Sequence, residues 1–175
     1  MNVKLHATVL AIALALPATA LPGSAASFTG VASVPSVVWI TADVPAPTAQ
    51  PEIRQTMKTF VPALLVIPAG TTVRFPNDDG FYHSVYSDSP SNPFDLGLYD
   101  TGPGKSVVFE NMGVVGVRCH VHGSMHATIV VVDGPFVVTT HPNERYRIDG
   151  VPPGSRALHV WTDGTSISTT TVVVK

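Results

Sequence analysis

Val114-Val115-Gly116-Val117-Arg118-Cys119-His120-Val121-His122-Gly123-Ser124-Met125-His126-Ala127-Thr128-Ile129-Val130-Val131-Val132 sets two β-branched runs on either side of a short polar loop. Val114–Cys119 and Ala127–Val132 are too short for core helices, are rich in Val and Ile, and read as strands. The same grammar recurs along the chain. It predicts strands near Val37–Thr41, Val61–Ile67, Thr71–Phe75, Tyr82–Tyr86, Lys105–Glu110, Phe136–Thr140, Arg145–Ile148, Arg156–Thr162 and Ser166–Val174. Turn residues separate them: Pro68-Ala69-Gly70, Asp79-Gly80, Gly102-Pro103-Gly104, Asp133-Gly134, Asp149-Gly150 and Pro152-Pro153-Gly154. Only Gln50–Thr59 reads as a possible helical turn, and it is polar and short. Strands at this spacing, with no helix alternating, predict an all-β sandwich or barrel and exclude a nucleotide-binding α/β fold.

Composition narrows the function. Of 175 residues 45% are hydrophobic, enough for a packed core and against a disordered chain. With ten Lys and Arg and a net charge of −2, the chain lacks the basic footprint of a nucleic-acid binder. Sixteen prolines and 14 glycines favour turns over long helices. A single cysteine excludes a disulfide scaffold.

Residues 1–26 read as an address. Lys4 and His6 precede the apolar run Ala7–Leu16, then Pro17, with small residues at Ala18-Thr19-Ala20 and Ser24-Ala25-Ala26. That is the order of a secretory signal. The run is shorter than the about 20 residues a membrane span needs, and no later segment is long enough to span either. The expected location is periplasmic or secreted, with no membrane span after cleavage. In an oxidising compartment a lone cysteine needs a reason to persist.

The reason lies in the loop. Cys119, His122 and Met125 follow a C-x2-H-x2-M spacing. A thiolate, an imidazole and a thioether favour copper over magnesium, calcium or manganese. A trigonal plane of two imidazoles and a thiolate needs a second histidine, and His83, on the strand Tyr82–Tyr86, is the candidate. His83, Cys119 and His122 with a weak axial Met125 compose an electron-transfer copper site. A c-type haem motif and a binuclear thiolate-bridged centre each need two cysteines, and methionine is not a usual structural zinc ligand.

These residues resemble a cupredoxin. The carrying segments are Val73-Arg74-Phe75-Pro76-Asn77-Asp78-Asp79 through His83, Phe94-Asp95-Leu96-Gly97-Leu98-Tyr99, and Cys119-His120-Val121-His122-Gly123-Ser124-Met125. More narrowly they resemble the plastocyanin-like proteins associated with methylamine utilisation, and the loop ending is that of the amicyanin type. The resemblance implies a Greek-key sandwich holding one type 1 copper ion that cycles between Cu(I) and Cu(II). His83 and His122 would be the imidazole ligands, Cys119 the thiolate and Met125 the axial ligand. Three positions depart from the pattern. Ser84 follows the first histidine where these proteins often carry Asn, which leaves the side-chain clamp across the loops unassigned. Ala63 stands where the narrower group often has His. His120, between Cys119 and His122, faces away from the ligand in an extended segment and reads as surface.

The termini suggest a second, smaller β unit. Val151-Pro152-Pro153-Gly154, Leu158-His159-Val160-Trp161 and Phe136–Thr140 resemble the transthyretin-like regulatory module of carboxypeptidases, with Gly30-Val31-Ala32 and Val37–Thr41 as its opening strands. His141 and His159 would belong to it, apart from the metal. The expected organisation is a signal at 1–26, N-terminal strands at 27–55, a copper-binding domain at 56–133 and the small unit at 134–175. Pro/Ala-rich Ala42–Pro51 reads as a linker or an exposed crossing.

A complete ligand set leaves no open coordination position, and no nucleophile–base pair flanks the loop, so the chain reads as a one-electron carrier rather than an enzyme. A periplasmic copper carrier or storage protein is the rival reading. Asp78, Asp79, Asp88, Asp95 and Asp100 occupy the interval between Arg74 and Lys105, which holds no Lys or Arg. Around a copper mouth they would steer a basic redox partner such as a c-type cytochrome.

Overall fold

The computed structural model describes residues 9–10, 26–42, 50–164 and 166–175. The expected leader, apart from Val9–Leu10 and Ala26, and most of the expected crossing at 42–51 lie outside the described residues. Among the described residues there is no helix; every regular element is a strand. In chain order these begin with β1 (Val9–Leu10), β2 (Ala26–Ala32), β3 (Ser36–Ile40), β4 (Arg54–Thr56), β5 (Thr59–Val61), β6 (Leu64–Pro68), β7 (Thr71–Asn77) and β8 (His83–Ser87). They continue with β9 (Phe94–Tyr99), β10 (Gly102–Phe109), β11 (Gly113–Arg118), β12 (His126–Val132), β13 (Phe136–Thr140), β14 (Glu144–Val151), β15 (Gly154–Thr162) and β16 (Ser168–Val174). The described residues form two compact units, one within Met1–Ile12 and Ala46–Val131, the other within Ala13–Pro45 and Val132–Lys175.

The first unit is a two-sheet sandwich. One sheet runs β1-β6-β12-β11-β8-β9, the other β10-β7-β4-β5. Alternation produces the core: Thr71, Val73 and Phe75 of β7 are buried while Thr72 and Arg74 between them are half exposed. Leu65, Val85, Val117 and Ile129 from the first sheet meet Phe60, Phe75 and Phe109 from the second in one cluster. Each such buried side chain contributes about 1.5–3 kcal/mol. Gly104 takes a left-handed φ of 71° where β10 shifts register against β7, and a Cβ there would sit 1.8 Å from the Phe75 carbonyl oxygen. Only glycine fits.

The segment that reads as a possible helical turn is instead the hairpin of β4 and β5, paired from Arg54↔Val61 to Thr56↔Thr59. Its pairing comes from tertiary contacts. Gln55 is wholly buried, donates through Nε2 to Tyr99 Oη at 2.6 Å and Pro76 O at 3.2 Å, and aligns β4 parallel to β7 opposite Asn77. The aromatic strand β9, seen in the sequence only as a motif, forms the edge of the larger sheet beside β8.

The second unit has a four-stranded sheet, β13-β3-β15-β16, and a β14-β2 ribbon. Val38, Ile40, Tyr146, Ile148 and Leu158 share its core. His159, on the opposite face of β15 from Leu158, is also buried, stacked on Trp39 at 5.0 Å, with Nε2 2.8 Å from Thr41 Oγ1 and Nδ1 2.9 Å from Thr169 Oγ1.

Candidate metal centre

Strand register builds the site. Arg118, the last residue of β11, lies opposite Tyr86 of β8. Just beyond it, the His120 N–H donates to Ser84 Oγ at 2.8 Å and ties the start of the loop to β8. His83 opens β8, opposite Tyr99. The loop from Cys119 closes through Met125 N–H donating to His122 O at 2.9 Å before β12 begins. Two strand ends and one tight loop therefore bring together side chains far apart in sequence.

The donor atoms of His83, Cys119 and His122 all lie within 4.8 Å of one another. His83 Nδ1 is 3.1 Å from His122 Nδ1 and 4.0 Å from Cys119 Sγ. On its far side, His83 Nε2 stands 2.8 Å from Asp79 Oδ2. A carboxylate only accepts, so it takes the Nε2–H and leaves the Nδ1 lone pair facing the other two groups. Soft thiolate and two imidazoles, one held in its ligating tautomer, are a donor set that fits copper. His83 and Cys119 are buried, and Met125 is fully buried in the same apolar cluster as Cys119.

Hydrogen bonds tune the thiol. Burial pushes Cys119 up, but the Ser84 and His122 backbone N–H groups, the Ser84 hydroxyl and the Val121 N–H outweigh it and hold the thiol at about 6, down from 9.0. Ser84 Oγ lies 3.7 Å from Cys119 Sγ and accepts the His120 N–H at 2.8 Å. Serine thus makes the tie across the loops that its departure from the Asn pattern had left unassigned.

His120 stays outside the converging group. Its half-exposed ring stacks on Tyr86 with centroids 3.8 Å apart and planes 2° apart, and Nε2 is 3.5 Å from Asp95. His126 is exposed and turns to Ser124 O. Phe81, Tyr82 and Val121 are exposed, and the Phe81 ring lies 5.1 Å from His83 and 5.7 Å from His122.

Asp79, one of the five acids expected to steer a partner, has a different place in the structure. It is turned inward: burial raises its carboxyl, yet the Lys58 N–H, His83 and the Met57 N–H together hold it below the usual carboxylate value. Its position four residues before His83 carries no signal by itself, because the turn at Asn77–Gly80 decides where it points. Asp78 pairs with Arg54, and Asp88 lies 3.5 Å from Arg118.

No protein-family model matches the chain, and no curated protein does. Among solved structures it is similar to a purple cupredoxin from Nitrosopumilus maritimus, 26% identical, covering 47% of this chain and 100% of that one, with a TM-score of 0.43. It is also similar to a copper-containing nitrite reductase from Thermus scotoductus SA-01, 25% identical over 53% of this chain, with a TM-score of 0.46; the match spans 25% of the reductase's length. Amicyanin from Paracoccus versutus is 16% identical over 54% of this chain and 97% of its own, with a TM-score of 0.43. The structural neighbours are thus cupredoxins and a copper enzyme at low identity, and the all-β architecture is the one expected.

Proposed function

We propose that this chain is an exported, mononuclear copper protein of the type 1 kind that carries one electron at a time, in the periplasm or outside the cell. The observation that carries the reading is the convergence of His83, His122 and Cys119 donor atoms within 4.8 Å at the end of a β-sandwich. Met125, buried beside Cys119, would be the axial ligand. Copper bound there supplies a one-electron Cu(II)/Cu(I) couple.

The surrounding residues support a carrier. Asp79 keeps the His83 proton on Nε2, so Nδ1 is free to ligate. Ser84 and the loop amides stabilise the thiolate before metal arrives, which lowers the reorganisation that ligation demands. Phe81 packs against both imidazoles, and with Tyr82 and Val121 it offers an apolar surface for a protein redox partner. Burial of Cys119 and His83 disfavours handing the ion to another protein, so the carrier of electrons is preferred over a carrier of copper. Four ligands leave no open position for substrate, which argues against catalysis at this site.

The test is a visible spectrum of the purified chain titrated with Cu(II), beside Cys119→Ser. The expected result is an intense thiolate-to-copper band that saturates at one equivalent and disappears in the variant. A weak spectrum unaffected by the substitution would overturn the reading.

A further inference from the structure

The hairpin of β4 and β5 turns through Met57 and Lys58, both left-handed, at φ 50° and 56°. Asn-Gly is the usual solution for such a turn, and side-chain-bearing residues in sparsely populated backbone regions cost of order 1–3 kcal/mol each. Asp79 holds them there. Its Oδ1 accepts the Met57 N–H at 2.7 Å and its Oδ2 accepts the Lys58 N–H at 2.9 Å. The same Oδ2 takes the His83 Nε2–H at 2.8 Å, and the Asp79 side chain is only 10% exposed. The base of the hairpin is fixed separately, by buried Gln55 and by Arg54, which grips both oxygens of Asp78. The tip reaches the site a second way, since Lys58 Nζ lies 5.4 Å from the centre of the Phe81 ring that edges both imidazoles. Met57, 82% exposed, is held outward.

We infer that Asp79 is a positioning residue that ties the Met57–Lys58 tip to His83, so that the state of the tip sets the redox poise of the copper site without touching a ligand. The inference rests on the copper reading above. A carboxylate accepting Nε2–H makes the imidazole a stronger donor at Nδ1 and favours Cu(II). The two tip amides draw on the same carboxylate charge. Removing the charge and releasing the tip must therefore act in opposite directions, whereas a merely structural disturbance has no reason to.

The experiment measures midpoint potential and thiolate-to-copper absorption of the full chain for wild type, Asp79→Asn, Met57→Pro and Met57→Asn. Asp79→Asn should shift the equilibrium toward Cu(I) by about tenfold, the low end of what such partners contribute, or about 59 mV upward for one electron. Met57→Pro removes one tip donor and, with proline's φ held near −65°, cannot keep the left-handed turn at φ 50°, so it releases the tip and should give a smaller shift downward. Met57→Asn, which keeps the left-handed turn, both tip amides and the Lys58 ammonium, should stay at the wild-type value. In the metal-free chain, Asp79→Asn should speed hydrogen exchange at Met57 and Lys58 alone among the hairpin amides. If Asp79→Asn does not fold, Met57→Pro against Met57→Asn carries the test. Shifts of the same sign, or no shift in either single variant, overturn the inference while an intense wild-type band keeps the copper reading. A wild type without that band overturns both.

Discussion

The Ser84 hydroxyl faces Cys119 Sγ at 3.7 Å while accepting the His120 N–H at 2.8 Å, so one small side chain serves both the thiolate and the loop that carries it. Ser84→Ala removes both at once. The stranded His120 N–H should cost the metal-free protein about 1–3 kcal/mol of unfolding free energy. Loss of a donor to sulfur destabilises the electron-rich Cu(I) state, so the midpoint potential should fall. Chemical denaturation and a potentiometric titration of the same variant check the two halves, and a potential that rises would remove Ser84 from the thiolate's environment.

Cys119 titrates at about 6 in the folded chain against an ordinary 9.0. A folded value below the unfolded one means that the thiolate stabilises the fold fully above pH 9 and that this contribution drains away as pH falls through 6. The melting temperature of the metal-free chain should therefore rise between pH 6 and 9 by more than that of Cys119→Ser. Copper affinity should weaken below pH 6, because a proton then competes for the sulfur. Parallel melting curves for the two proteins across that window would contradict the thiolate assignment.

Much of this architecture was legible in the residues because β-branched alternation is a local property. β7, β11, β12 and β13 follow from it almost to the residue. The hairpin of β4 and β5 was not legible: Arg54-Gln55-Thr56 has no apolar face, and its pairing depends on where a buried amide finds Tyr99 and Pro76. β9 escaped because Asp95 and Gly97 interrupt a short edge strand. At the site, soft donors in one loop announced the metal chemistry. Asp79 and Ser84 announced nothing, since their roles come from a turn and a cross-strand register that join residues through space.

The charged residues around the loops bear on how a partner arrives. Asp78 is paired with Arg54, Asp79 is committed to the tip amides and His83, Asp88 faces Arg118 and Asp95 faces His120. Arginines compensate Asp78 and Asp88, and Asp79 is turned inward, so of the five acids Asp95 and Asp100 keep uncompensated exposed charge, screened beyond a Debye length of roughly 8 Å at physiological salt. Electron exchange with a basic cytochrome should then vary by less than about tenfold between low and physiological salt, below the range of strongly steered pairs. Stopped-flow rates that fall more steeply would show that these acids act as a steering field after all. Val121→Lys, which puts a charge on the exposed apolar surface, should slow the same reaction at every salt concentration.

In the second unit, Asp133 accepts Trp39 Nε1–H at 2.8 Å through one oxygen and the Thr41 hydroxyl at 2.9 Å through the other. Thr41 has given its only proton to the carboxylate, so it can only accept from His159, whose Nε2 lies 2.8 Å away. That places a proton on Nε2, and Nδ1 shares a hydrogen bond with Thr169 Oγ1 at 2.9 Å. The whole chain of donors depends on one acid. Asp133→Ala leaves the indole N–H of fully buried Trp39 without its acceptor, at a cost of about 1–3 kcal/mol. Asp133→Asn keeps one acceptor oxygen and should recover part of that loss. Both tryptophans of the chain, Trp39 and Trp161, lie in this unit, so intrinsic fluorescence follows its unfolding directly. An Asp133→Ala midpoint equal to wild type would mean that the indole finds another acceptor and that the carboxylate is not the keystone of this cluster.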